Sequence, residues 1–167
     1  IHTEAFGAEE GAEIARLVNR LLDDPTARPL LSLVSESMDL LTGHVLFTTV
    51  RIEPLPAGQK VSARILAPLA VLPDAQRQGL GGALVRAGLR ELGDSGVDLV
   101  FVGGLPGYYP CVGFQPAGVL GLGAPYPIPP AHAEAWMVRQ LSTDVLGRVR
   151  GTVQCAAELD RPEYWCE

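Results

Sequence analysis

Apolar residues recur at helical spacing between Glu9 and Leu22, where Ile14, Leu17, Val18 and Leu21 share one face. Acids stand early in that stretch and arginines late, as the helix dipole favours, and Asp23-Asp24-Pro25 ends it. Ahead of it, Ile1 to Ala5 reads as a short edge strand. Leu30 to Glu36 and Leu41 to Ile52 are rich in Val, Leu and Thr, and the short link Ser37 to Leu40 predicts a hairpin. Val61 to Leu72 is a longer apolar strand, but Pro68 removes a ladder donor, so a bulge or a lost partner is expected there. A glycine-rich turn, Gln76 to Gly82, leads into a helix ending near Asp94, and Asp98 to Val102 is a short buried strand. Strand, helix, strand implies a parallel crossover. Farther on the pattern predicts a short helix over Gly107 to Val112 and strands over Gly113 to Val119 and Glu134 to Leu141. A stiff loop runs through Pro125, Pro127, Pro129 and Pro130 between those strands.

Composition narrows the class. A length of 167 residues, 47% of them hydrophobic and 19% charged, suits one domain that folds without metal or disulfide staples. Net charge is −6 and Lys60 is the single lysine, with no basic cluster, so a nucleic-acid partner is not expected. Cys111, Cys155 and Cys166 form no CxxC and show no zinc spacing, which suits a reducing cytoplasm. The uncharged run Leu99 to Ala131 holds seven prolines and seven glycines, which no spanning helix absorbs. The first residues lack the basic start and apolar run of a signal peptide. The expectation is a soluble cytoplasmic protein with no membrane partner and no metal.

The chemistry concentrates where the apolar strand ends in Leu69-Ala70-Val71-Leu72-Pro73 and the glycine-rich turn begins. A helix N-terminus presents unpaired N–H groups and about half a positive charge, a seat for phosphate. Gly79 and Gly81 let that backbone approach an anion, and Arg77 adds a charged donor. No Gly-Lys-Ser/Thr follows, so the turn is not a P-loop. Gly81 is followed by Gly82, Ala83 and Leu84, which breaks the dinucleotide fingerprint.

Gln76-x-x-Gly79-x-Gly81, preceded by Pro73 and the Leu-Ala-Val strand, resembles the acetyl-CoA-binding motif of the GNAT superfamily of N-acetyltransferases. Tyr108-Tyr109-Pro110-Cys111-Val112-Gly113-Phe114 resembles that family's later signature, a tyrosine four residues before Gly-Phe. The resemblance covers Ile1 to Ala117. It implies an α/β (α+β) fold: one GNAT-like domain over residues 1–167, with a mixed central sheet, flanking helices and a splayed parallel strand pair that admits pantetheine. It further implies that Leu69, Ala70 and Val71 offer backbone groups to pantetheine, and that Arg77, Gln78, Gly79, Leu80, Gly81 and Gly82 hold the pyrophosphate. Tyr109 is implied as the general acid that protonates the departing thiolate, with Tyr108 a packing ring.

The activity so implied is transfer of acetyl from acetyl-CoA, a co-substrate, to a primary amine on a small molecule or peptide by direct attack. A longer acyl-CoA donor, or a CoA-binding module without turnover, are the alternatives, and a homodimer is common in the family. Two positions depart from a bacterial subset of the family: Leu105 stands in place of an aspartate, and Cys111-Val112 in place of Arg-Phe. No carboxylate lies on the Val61–Leu72 strand. Glu36, Glu53 and His44 are the nearby candidates for the base; His44 reads as a packed or surface histidine, Glu53 as a solvated turn residue, and water as an alternative proton acceptor. Cys111 reads as a small apolar filler.

Overall fold

Two helices open the chain, α1 (His2–Phe6) and α2 (Ala8–Asp23); the computed structural model describes residues 1–166. The strand expected at Ile1–Ala5 is therefore a helix. Its cause is a close crossing: a Cβ built on Gly11 of α2 would stand 2.6 Å from the Cα and the carbonyl oxygen of Thr3. The two backbones dock directly where Gly11 leaves no side chain between them. In α2, Glu9 and Glu10 occupy the first turn, Arg20 the last, and Leu17, Val18 and Leu21 are buried.

The expected hairpin forms from β1 (Leu31–Ser37) and β2 (Leu40–Glu53). Next, β3 (Ala63–Val71) runs antiparallel to β2, α3 (Leu80–Asp94) crosses over, and β4 (Leu99–Gly103) returns parallel to β3. The short strands β5 (Gln115–Pro116) and β6 (Leu122–Gly123) precede β7 (Trp136–Gln140) and β8 (Gly151–Gln154). Together they make an eight-stranded mixed sheet in the order β5-β7-β4-β3-β2-β8-β6, with β1 beside the first half of β2. The strand expected over Gly113–Val119 shrinks to β5, because Pro116 lacks an N–H and Gly118–Leu120 turns into a 3-10 helix. The helix expected over Gly107–Val112 is a 3-10 turn, Tyr109–Val112.

Alternation along the strands sorts the core onto two faces. Leu46, Val50, Ile65 and Phe101 pack with Leu17, Val18 and Leu21 of α2, while Val45, Phe47, Leu66 and Val100 pack with Leu84, Val85 and Leu89 of α3. No helix among the described residues is long and apolar enough to cross a membrane.

One detail of the sheet positions everything that follows. β3 and β4 are joined at their N-terminal ends, where the Asp98 carboxylate accepts from the Ser62 N–H at 2.8 Å and from the Ser142 hydroxyl at 2.7 Å. Their ladder runs from Ala63–Leu99 to Leu66–Val102 and stops. Beyond it β4 follows β7, with Gly103 opposite Trp136 and the Gly104 N–H donating to the Ala135 carbonyl. β3 follows β2 instead, through a bulge between Leu66 and Leu69 that contains Pro68. The parallel pair splays as the family resemblance implies.

Candidate functional site

From Ala67 to Val71, β3 has β2 on one side and no strand on the other. The Leu72 N–H donates to Thr42 and Ala70 sits opposite His44. Alternation then turns the peptide groups of Leu69 and Val71 toward the gap and those of Ala70 toward β2. The Val71 carbonyl bears this out, since it accepts from Gln76 Nε2 at 2.9 Å. The first residue of the glycine motif thus closes the end of the open edge.

The turn that follows brings the expected anion-binding residues together. Arg77 has φ +61° and Gly79 φ +80°, so the chain reverses sharply into α3. Such a φ suits Gly79, whereas Arg77 adopts it as an uncommon non-glycine case. The first bond of α3 runs from the Ala83 N–H to the Gly79 carbonyl. No side chain caps the helix, so the N–H groups of Gly79, Leu80, Gly81 and Gly82 point outward as a group. Gln78 braces the turn through Nε2 to the Asp74 carbonyl at 3.2 Å.

Arg86 is a member of this seat that its spacing did not reveal. A Cβ placed on Gly82 would stand 3.0 Å from Arg86 Nη1, so the guanidinium folds back over the first turn of α3. Arg86 also borders a cavity of about 830 Å³ between α3, the Tyr109–Val112 turn and β7, together with Arg90 and Arg139. The residues of the open edge are not among its lining, so the cavity adjoins the seat without being it.

The two tyrosines part company. Tyr109 is buried, edge-on to Phe114 at 5.6 Å and to Tyr108 at 5.1 Å. A Cβ on Gly104 would fall 2.3 Å from its Cε2, so the ring fills the place where β4 turns away. No hydrogen bond ties its hydroxyl to a described residue. Burial, and then neighbouring Tyr108, push its phenol well above the ordinary value, so it stays protonated. Tyr108 is exposed and extends its hydroxyl over the seat, 2.7 Å from where a Gly81 Cβ would lie. It does not fill the core as a packing ring would. Burial raises its phenol too, opposed by Arg86.

Of the departing residues, Leu105 and Cys111 are at the surface, whereas Val112 is buried. Leu105 is 73% exposed, and Cys111 is exposed rather than filling an apolar gap. The end of the segment is held from β7, where Arg139 Nη1 donates to the Val112 carbonyl.

The candidate bases separate sharply. Glu53 lies at the far end of β2, opposite Thr152 and 3.9 Å from Arg51. Gly43 is the β2 residue opposite Val71, so Glu53 is roughly 33 Å from the open end at the rise of a strand. Glu36 sits at the exposed hairpin end, opposite Leu41. His44 is different: it is 7% exposed, opposite Ala70, and its side chain lies on the α2 face of the sheet with Leu46. Its Nδ1 is 2.8 Å from His2 Nε2, and its Nε2 is 2.8 Å from Ser32 Oγ. His2 Nδ1 is buried and meets no hydrogen-bond partner among the described residues. Burial and then His44 push His2 down to about 4, and burial lowers His44. Both rings are therefore neutral at pH 7. A contact spanning 42 positions leaves no trace in local spacing.

Known proteins share this architecture. No protein-family model matches the chain. It is 42% identical over 159 residues to an uncharacterised N-acetyltransferase of Escherichia coli, YjhQ, a match covering 93% of this chain and 83% of that one. Among solved structures, the GNAT family N-acetyltransferase YhbS of Escherichia coli in complex with CoA superposes with a TM-score of 0.78 at 31% identity, over 92% of this chain and 80% of that one. A GNAT family acetyltransferase from Brucella melitensis in complex with acetyl-CoA gives 0.70 at 27%, over 95% and 88%.

Proposed function

This chain belongs to the GNAT family of N-acetyltransferases, and on that premise we propose that it moves acetyl from acetyl-CoA directly to a primary amine of a small molecule or peptide. The observation that supports the reading most is the free edge of β3, which ends at the uncapped N-terminus of α3. Leu69 and Val71 pair with the amide groups of pantetheine much as an added strand would. Arg77, Arg86 and the N–H groups of Gly79 to Gly82 hold the pyrophosphate, which needs both a dipole end and charged donors. N–H groups on the edge meet the thioester oxygen and stabilise charge developing there as the amine attacks. Tyr109, held protonated by burial, donates to the leaving thiolate. The co-bound ligands of YhbS and the Brucella protein support the same donor class here.

Thermal unfolding with acetyl-CoA, paired with turnover against a panel of primary amines, tests the proposal. At a hundredfold excess over Kd, binding to the native state adds about 2.7 kcal/mol, a rise of roughly 5–10 °C for a chain of this size. Gly81→Glu sets a carboxylate in the seat beneath Tyr108, and the rise should vanish. A folded Gly81→Glu protein that still responds would show that the seat is misplaced. Turnover of a longer acyl-CoA in preference to acetyl-CoA would revise the donor.

A further inference from the structure

We propose that the cavity of about 830 Å³ between α3, the Tyr109–Val112 turn and β7 is a second binding site, apart from the acetyl-CoA seat, and that it takes a nucleoside diphosphate. Arg86, Arg90 and Arg139 line it, and no aspartate or glutamate does. The chain carries 19 acidic residues against 13 basic ones, so a wall with three cations and no anion runs against its composition. The ion pairs among the described residues, Arg51–Glu53 and Arg161–Glu158, lie elsewhere. Arg86 and Arg90 stand four positions apart on α3, a like-charge spacing that destabilises a helix. A concave wall of one sign concentrates counter-ions, and an anion bound between the guanidinium groups offsets their repulsion.

One of the three is fixed before any ligand arrives. Arg139 Nη1 donates to the Val112 carbonyl at 2.6 Å, and its Nε would stand 3.2 Å from a Cβ on Gly113, so the guanidinium rests on bare backbone there. Its other N–H groups remain for phosphate oxygens. Leu89, Leu141 and Leu146 give the cavity an apolar wall. Gln140 Oε1 accepts from the N–H groups of Val145 and Leu146, both at 2.9 Å, which leaves its amide NH₂ as a donor. A terminal phosphate carries about 1.5 to 2 negative charges at pH 7 and the inner one about one more, which matches three guanidinium groups. A flat base suits the apolar wall and stacks on a guanidinium plane. The volume falls within the range of small-molecule sites, roughly 300–1,000 Å³.

The cavity lies toward the closed end of the splayed strands. The gap opens past the Leu66–Val102 pair, whereas Arg139 and Gln140 pair with Val100 and Leu99 near the other end of β4. The Leu141 N–H donates to the carbonyl of Asp98, the residue whose carboxylate ties β3 to β4. Arg90 is about 15 Å along the axis of α3 from Leu80. Neither Leu69 to Val71 nor Gln76 to Gly82 lines the cavity, and only Arg86 borders both places. The inference therefore stands apart from the acetyl-transfer reading.

The test is calorimetry of GDP titrated into protein already saturated with CoA; GDP is the probe because CoA itself contains an adenine nucleotide. One GDP should bind per chain. Inorganic pyrophosphate should bind about tenfold more weakly for want of apolar contact, and guanosine should give no heat. Arg90→Glu should weaken GDP at least about tenfold, the scale of a lost charge-assisted contact, and leave CoA affinity within about twofold. In ¹⁵N NMR, GDP should shift the amides of Gln140, Leu141 and Leu146 and spare those of Gly79 to Gly82. Binding of GDP only to CoA-free protein would overturn the proposal, since the cavity would then be part of the donor site. So would citrate binding as tightly as GDP, an unchanged GDP affinity in Arg90→Glu, or no heat and no shifts. If CoA does not bind, the functional reading fails separately, and GDP titrated into the free wild-type and Arg90→Glu proteins still decides the second site.

Discussion

Removing one oxygen from Tyr109 separates chemistry from packing. The ring is fixed by Phe114, Tyr108 and the bare face of Gly104, and Tyr109→Phe keeps all three contacts. Its hydroxyl makes no hydrogen bond to a described residue, so stability should change by no more than about 0.5 kcal/mol, or roughly 2 °C in Tm. A general acid acting only in the transition state contributes about 10²–10⁴ in rate, roughly 2.7–5.5 kcal/mol. We expect kcat, followed as thiol release at saturating acetyl-CoA with one fixed amine, to fall by that factor while acetyl-CoA affinity holds. Burial raises this phenol well above its usual pKa near 10, so it should not produce a downward limb in kcat there. Tyr108→Phe provides the contrast. Its hydroxyl overlies Gly81, so its loss should weaken acetyl-CoA binding, by about fivefold at most, and spare kcat. Equal, small effects on kcat from both changes would refute the assignment of the acid.

Other substitutions test neighbouring parts. Arg86→Ala should weaken acetyl-CoA binding about tenfold by calorimetry, the low end for charge-assisted bonds, while Arg90→Ala leaves it nearly unchanged. Gly88→Ala forces a methyl to 2.3 Å from the buried Phe47 ring, and should cost about 1–3 kcal/mol in thermal melts. Glu36→Gln and Glu53→Gln should each keep activity within about twofold, because neither carboxylate serves the gap. Acid should unfold the protein partly through His2. The unfolded imidazole binds its proton near 6.5 and the folded one only at about 4, so stability is full above pH 6.5 and declines as pH falls toward 4. A melting temperature flat across that window would contradict the burial of His2.

Legibility from sequence followed the range of the interaction. Residues adjacent along the chain, such as Pro68 in an apolar strand and Gln76 through Gly82 before a helix, produce their geometry locally, so the bulge and the seat could be foreseen, whereas the splay was implied by the family resemblance. α1 could not, because a five-residue helix has too few positions to show a period, and its docking depends on Gly11 in the next element. β6 and β8 are short and are defined by partners far away in sequence. Arg86 reads as an exposed helix residue until its head is seen folded onto Gly82. His44 looked like any strand histidine because its partner lies at the opposite end of the hairpin's neighbourhood, on α1.

The splay between β3 and β4 also makes an edge in the middle of a sheet. Leu66 to Val71 is a nearly continuous apolar stretch with one flank of peptide groups unpaired past Leu66, the kind of template on which stray strands add and chains aggregate. The bulge at Ala67 and Pro68 interrupts that stretch, and a bulge is a recognised means of blunting an edge because it twists the strand away from a regular template. The bulge that carries the proline therefore guards against stray strand pairing at the same place where the fold must stay open.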